Sequence, residues 1–154
     1  MRIKGLISVL FSAVIMIACQ KPDTVIEDSD PVYSGVMTVV YEGEDFVQNG
    51  IRVQAGFSPD STSMDLKLLK VKFVPAMPVK IDVTVMEIPV VRSEEGVLEF
   101  FCDGIVPWAM GGPYDTYRVD ELKGSLVNGR LDFSMNFYNT KKKEGYPTSY
   151  EGKL

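Results

Sequence analysis

From Val32 to the end of the chain, apolar and polar residues alternate with a period of two, and this pattern restricts the fold more than any other feature. Val79, Ile81, Val83 and Val85 alternate with Lys80, Asp82 and Thr84, and Leu131, Phe133, Met135 and Phe137 with Asp132, Ser134 and Asn136. A strand sends successive side chains to opposite faces, so each run buries one face and wets the other, as antiparallel sheets do. The pattern predicts strands at about Tyr33 to Tyr41, Ile51 to Phe57, Met64 to Phe73, Val79 to Val91, Val97 to Cys102, Tyr117 to Val127, Arg130 to Tyr138 and Ser149 to Leu154. No helix is predicted between them.

Turn chemistry links the strands. Asn128-Gly129 between two alternating runs is a strong hairpin signal, because a type I′ turn needs positive φ at both central residues. Counting outward from it places Leu126 opposite Leu131, Gly124 opposite Phe133 and Leu122 opposite Met135, all on one face. Gly124 then leaves room for an aromatic ring to cross its strand and permits the bend a closed sheet needs. Ser93-Glu94-Glu95-Gly96 reads as another turn, and Lys141-Lys142-Lys143 as a solvated hairpin tip. Successive hairpins give a meander. The C-terminal Ser149-Tyr150-Glu151-Gly152-Lys153-Leu154 is ordered only if something pairs with it. Pairing with Tyr33-Ser34-Gly35-Val36-Met37-Thr38-Val39 would close the sheet into an eight-stranded antiparallel up-and-down barrel.

The first 31 residues follow another logic. Arg2 and Lys4 form a charged start, Leu6 to Ile17 an apolar stretch too short to span a bilayer, and Ala18 a small residue before Cys19. Met16-Ile17-Ala18-Cys19 resembles the lipobox of bacterial lipoproteins, although Met stands where Leu is commoner. The resemblance implies a signal peptide at 1–18, cleavage before Cys19 and acylation of Cys19, which would hold the chain on a membrane without a transmembrane helix. Gln20 to Pro31 is polar and acidic and reads, with Cys19, as a flexible tether (19–31) to a domain over 32–154. Acylation would leave Cys102 without a disulfide partner, and it is expected to pack as a small buried hydrophobe.

Several of these stretches, namely Tyr33 to Val39, Val79 to Val83, Leu122 to Leu131 and Tyr150 to Gly152, resemble the calycin-like domain of secreted bacterial lipoproteins. The resemblance covers about residues 32–154 and implies a lipocalin-related barrel. With the lipobox it leads to the expectation of an outer-membrane lipoprotein in the cell envelope of a Gram-negative bacterium, and the acidic cluster Glu27, Asp28 and Asp30 resembles the signals that route some such lipoproteins to the cell surface, the other reading being a solvated linker. It brings no catalytic residues. Eight strands leave an interior that side chains fill or that holds one small ligand.

The longest irregular stretch, Asp103 to Thr116, carries the single tryptophan, Trp108, with Met110, Tyr114 and, just beyond, Tyr117. These four are the candidate ligand-binding residues, lining a barrel mouth for a small apolar or amphipathic molecule; the other reading is that Trp108 and Met110 plug the barrel end. An interaction or assembly lipoprotein acting through its loops or outer surface is the alternative function, its protein partner unknown. The chain contains no histidine, which removes His-based acid–base catalysis, His-containing triads and His-ligated zinc. Adjacent acids such as Asp120 and Glu121 should face opposite ways on a strand and so not bracket a bond. No enzymatic activity, cofactor or metal is expected. Removing Arg2 and Lys4 from 16 basic residues leaves 14 against 21 acidic ones, a net of about −7, so nucleic acid is not an expected partner.

Overall fold

The computed structural model describes residues 24–93 and 95–154; the signal-peptide reading, Cys19 and Gln20 to Asp23 lie outside the described residues, as does Glu94. The described chain is all-β. Its strands are β1 (Val32–Tyr41), β2 (Glu44–Phe57), β3 (Ser63–Val71), β4 (Ile81–Arg92), β5 (Leu98–Cys102), β6 (Trp108–Ala109), β7 (Gly112–Pro113), β8 (Tyr117–Val127), β9 (Arg130–Asn139) and β10 (Glu144–Lys153). Eight of them close an antiparallel barrel in the order β1-β2-β3-β4-β5-β8-β9-β10, and β10 returns to β1. The small β6–β7 hairpin hangs on β4.

The seam pairs the first and last strands from Ser34↔Lys153 to Val39↔Thr148. Tyr150 fastens it from inside: its ring stacks on Phe133 at 5.1 Å, and its hydroxyl lies 3.0 Å from both the Tyr33 and the Ile51 carbonyl oxygens. Gly152 makes this possible, because a Cβ there would fall within 2.6 Å of the Tyr150 ring. Two strands along from β10, Gly124 stands opposite Phe133 and Phe100, and a Cβ on it would lie 2.6 Å from Phe133 Cβ.

Three two-residue turns have positive φ at both central positions: Glu42-Gly43, Met110-Gly111 and Asn128-Gly129. The first was not anticipated, and with it β2 begins at Glu44, well before Ile51. β10 likewise begins at Glu144 instead of Ser149, despite Pro147. Pairing with β1 runs only as far as Val39↔Thr148, so the proline lies where the seam ends and a missing N–H is tolerated. The Leu126–Leu131 and Gly124–Phe133 pairs occur as the turn dictates, whereas the register shifts between Asp120 and Lys123, where Glu121 has φ 51°. Bulges like this one sharpen the twist that lets a sheet close.

Side chains fill the interior. Met37, Val39, Val53, Leu66, Leu68, Val83, Val119 and Leu131 are buried along the walls. One end carries the connections 42–43, 72–80, 103–116 and 140–143, and an aromatic column stoppers it. Phe73 stacks on Phe137 at 3.5 Å, Phe137 on Tyr117 at 4.6 Å, and Tyr117 meets Tyr114 at 5.0 Å.

Thr24 to Pro31, the described part of the stretch read as a tether, lies as a strap across the outer face of β2 and β3. The buried Asp65 carboxylate accepts hydrogen bonds from Thr24 Oγ1 (2.8 Å), Val25 N (3.0 Å) and Glu87 N (2.9 Å). Gln54 Nε2 donates to Glu27 O at 2.8 Å, and Glu27 N donates to Asp30 Oδ2 at 2.8 Å. Gly56 allows the close pass, since a Cβ on it would lie 2.9 Å from Ile26 Cα. A dozen free residues would reach about 40 Å, but only four separate Cys19 from Thr24, a reach of about 18 Å.

Candidate functional site

The structure splits the four candidate ligand residues into two pairs. Tyr114 and Tyr117 belong to the aromatic column at the barrel end; Tyr117 is buried and Tyr114 half-buried against it. Trp108 and Met110 sit on the outer wall. Trp108 is opposite Thr84 of β4, on the solvent side, while its neighbour Ala109 is opposite the core residue Val83. Trp108 therefore neither gates nor plugs the barrel.

The path of 103–116 explains this. β5 pairs with β4 only at Val90 to Arg92, which leaves the lower half of β4 without a full-length neighbour on that side. After Cys102 the chain bridges β8 through Ile105↔Val119, with mutual backbone hydrogen bonds of 3.1 and 2.7 Å, and then crosses to β4 as β6. The stretch read as a loop is thus an irregular piece of barrel wall. Its turn, Met110-Gly111, was concealed in the sequence because methionine is a poor residue for a left-handed turn position (φ 53°).

Trp108 and Met110 form one end of an outer groove of about 840 Å³. Val79, Ile81 and Met86 contribute apolar surface, Lys67, Lys70 and Lys80 the positive charge, and Thr24 of the strap borders it. Among the described residues Asp82 is the one carboxylate in its lining, and its Oδ1 accepts from Lys70 N at 2.9 Å.

A second groove, about 670 Å³, lies across the barrel on the outer faces of β5, β8, β9 and β10. Its apolar part comes from exposed Phe101 and Val91; Glu99, Lys123, Asp132 and Glu151 surround them. Phe101 is 58 % and Val91 67 % exposed, large apolar groups left in water on neighbouring strands. The alternation of β5 marks Phe101 as outward-facing in the sequence, but its proximity to Val91 depends on the β4–β5 pairing.

The acidic groups take structural roles. The bulge at Glu121 turns both Asp120 and Glu121 outward, against the expectation for adjacent strand residues, and brings them beside Asp103 and Arg118. Asp120 is paired through both oxygens with Arg118 at 2.7 and 2.8 Å, and Asp103 Oδ1 accepts from Glu121 N at 3.0 Å. Among the described residues no group of three or more His, Cys, Asp or Glu side chains is placed to hold a metal ion. Cys102 is buried, and burial, helped by nearby Asp103, pushes its thiol from 9.0 up to about 12. Compared with protein-family models, curated proteins and solved structures, the chain matches none.

Proposed function

We propose that this chain is a non-enzymatic lipoprotein of a Gram-negative cell envelope, acylated at Cys19, whose calycin-like barrel engages a protein partner through its outer surface. The packed interior carries this reading. Phe73, Phe137, Tyr117, Phe133 and Tyr150 occupy the space that a lipocalin-type ligand would need, and the Trp108 and Phe101 grooves both lie outside the wall. That arrangement favours outward recognition over capture of a small apolar molecule inside the barrel. The Phe101–Val91 groove supports it further, since an apolar centre ringed by both charge signs has the anatomy of a protein interface. The anchor rests on the charged start, short apolar stretch and Ala18-Cys19 pair.

A photoreactive residue at Phe101 of the full chain, expressed in cells, tests the reading. A discrete protein adduct is expected at Phe101, absent from exposed Arg52 on β2 and lost when Val91→Glu is added; Cys19→Ser should release the protein from the membrane fraction. Absence of an adduct, with a small apolar molecule co-purifying instead, would return the function to ligand capture.

A further inference from the structure

We infer that the Trp108 groove is a membrane-docking face, on which the barrel lies against an anionic phospholipid surface. The inference rests on acylation of Cys19 and adds an orientation to it.

The strap supplies the first argument. It crosses β2 at Gly56 and reaches Asp65 of β3 at Thr24, so the chain, followed toward its N-terminus, arrives at the groove bordered by Thr24. Five residue steps connect Thr24 to Cys19, at most about 18 Å of chain. A bilayer holding acylated Cys19 is then within reach of this face, while the Phe101 groove points away on strands across the barrel.

The surface chemistry supplies the second. Met110 is 71 % and Val79 59 % exposed, and Met110 occupies the tip of a turn where a small polar residue would cost less. Beside them stands Trp108, an aromatic amphipath of the kind that favours the boundary between headgroups and acyl chains. Lys67, Lys70 and Lys80 frame these residues, with Asp82 the one opposing carboxylate among the described residues of the lining, on a chain that is acidic overall. Cationic and apolar groups on one face fit an anionic bilayer and fit poorly with a soluble acidic partner, which would have to bury Trp108, Met110 and Val79 as well.

Trp108 is the single tryptophan, so its emission reports on this face alone. The test takes the full chain purified from the envelope, with acylation verified by mass, and reconstitutes it in vesicles of phosphatidylethanolamine and phosphatidylglycerol, some carrying brominated acyl chains. Trp108 emission is expected to shift to the blue and to lose most of its intensity to bromine. Replacing Lys67, Lys70 and Lys80 with glutamine should shift the docked-to-undocked ratio about a hundredfold, at about fivefold per lysine. Met110→Glu with Val79→Glu, both at exposed positions, should abolish quenching while the protein stays anchored. An acylated, anchored chain whose Trp108 remains unquenched would overturn the docking face and leave the anchor standing. An unacylated N-terminus would overturn both. A full shift with a soluble short-chain phospholipid below its aggregation concentration would make the groove a small-molecule site and also overturn the inference.

Discussion

Tyr150→Phe removes a single oxygen from the barrel seam and should weaken the fold in a pH-dependent manner. The ring keeps its place on Phe133, so no cavity larger than a hydroxyl is left. A phenol has one proton, so it serves one of the Tyr33 and Ile51 carbonyls at a time, both 3.0 Å away. Losing a net bond of about 1 kcal/mol and leaving a buried carbonyl less well satisfied should cost about 2–3 kcal/mol at pH 7. For a domain of this size that is a fall of about 8 °C in Tm. Burial also pushes the Tyr150 hydroxyl from 10.0 up to about 12. A folded-state pKa raised in this way contributes stability that is fully present below pH 10 and lost as pH rises through about 12. At about 1.4 kcal/mol per pKa unit the wild-type chain loses up to about 3 kcal/mol across that window. The phenylalanine variant has no such loss at this position. Urea titrations followed by Trp108 fluorescence should therefore show a gap at pH 7 that narrows between pH 10 and 12. Other alkaline groups such as Cys102 and Tyr146 are common to both proteins and cancel in the difference. No gap at pH 7, or a gap constant over the whole range, would refute the role given to this hydroxyl.

Three other substitutions or treatments test separate parts of the fold. Asp65→Ala removes the acceptor for Thr24, Val25 and Glu87, and should cost about 3 kcal/mol and release the strap, seen as rapid amide exchange at Val25 and new proteolysis within 24–31. Gly124→Ala places a Cβ 2.5 Å from Phe100 Cζ and 2.6 Å from Phe133 Cβ, and should destabilise by about 2 kcal/mol in urea; a neutral result would mean that the rings move aside freely. Cys102, buried and with its thiol pushed up to about 12, should resist an aromatic disulfide reagent at pH 8 until the chain unfolds; prompt labelling of the native protein would contradict its place in the core.

Most of the barrel was legible in alternation and turns. Asn128-Gly129 determines the β8–β9 register, and the need to pair Ser149 to Leu154 leads to the β1–β10 seam. The early halves of β2 and β10 were hidden for physical reasons: Glu44 to Gly50 faces solvent widely and shows little apolar signal, and Pro147 argues against a strand except near an edge. The placement of Trp108 was harder still. Whether Asp103 to Thr116 gates a mouth or completes a wall depends on β5 being too short to cover β4, a relation between strands distant in sequence. The strap was concealed because its polar, acidic composition resembles a linker, while its attachment depends on the buried Asp65 carboxylate. Composition reports solvation, and docking of this kind comes from a few specific hydrogen bonds.

Native mass spectrometry of the protein, extracted gently from membranes, tests the central claim most directly. An acylated barrel with a filled interior should begin at Cys19, carry its acyl groups there and retain no small molecule. A stoichiometric apolar ligand released only on unfolding, or an unmodified N-terminus, would contradict it.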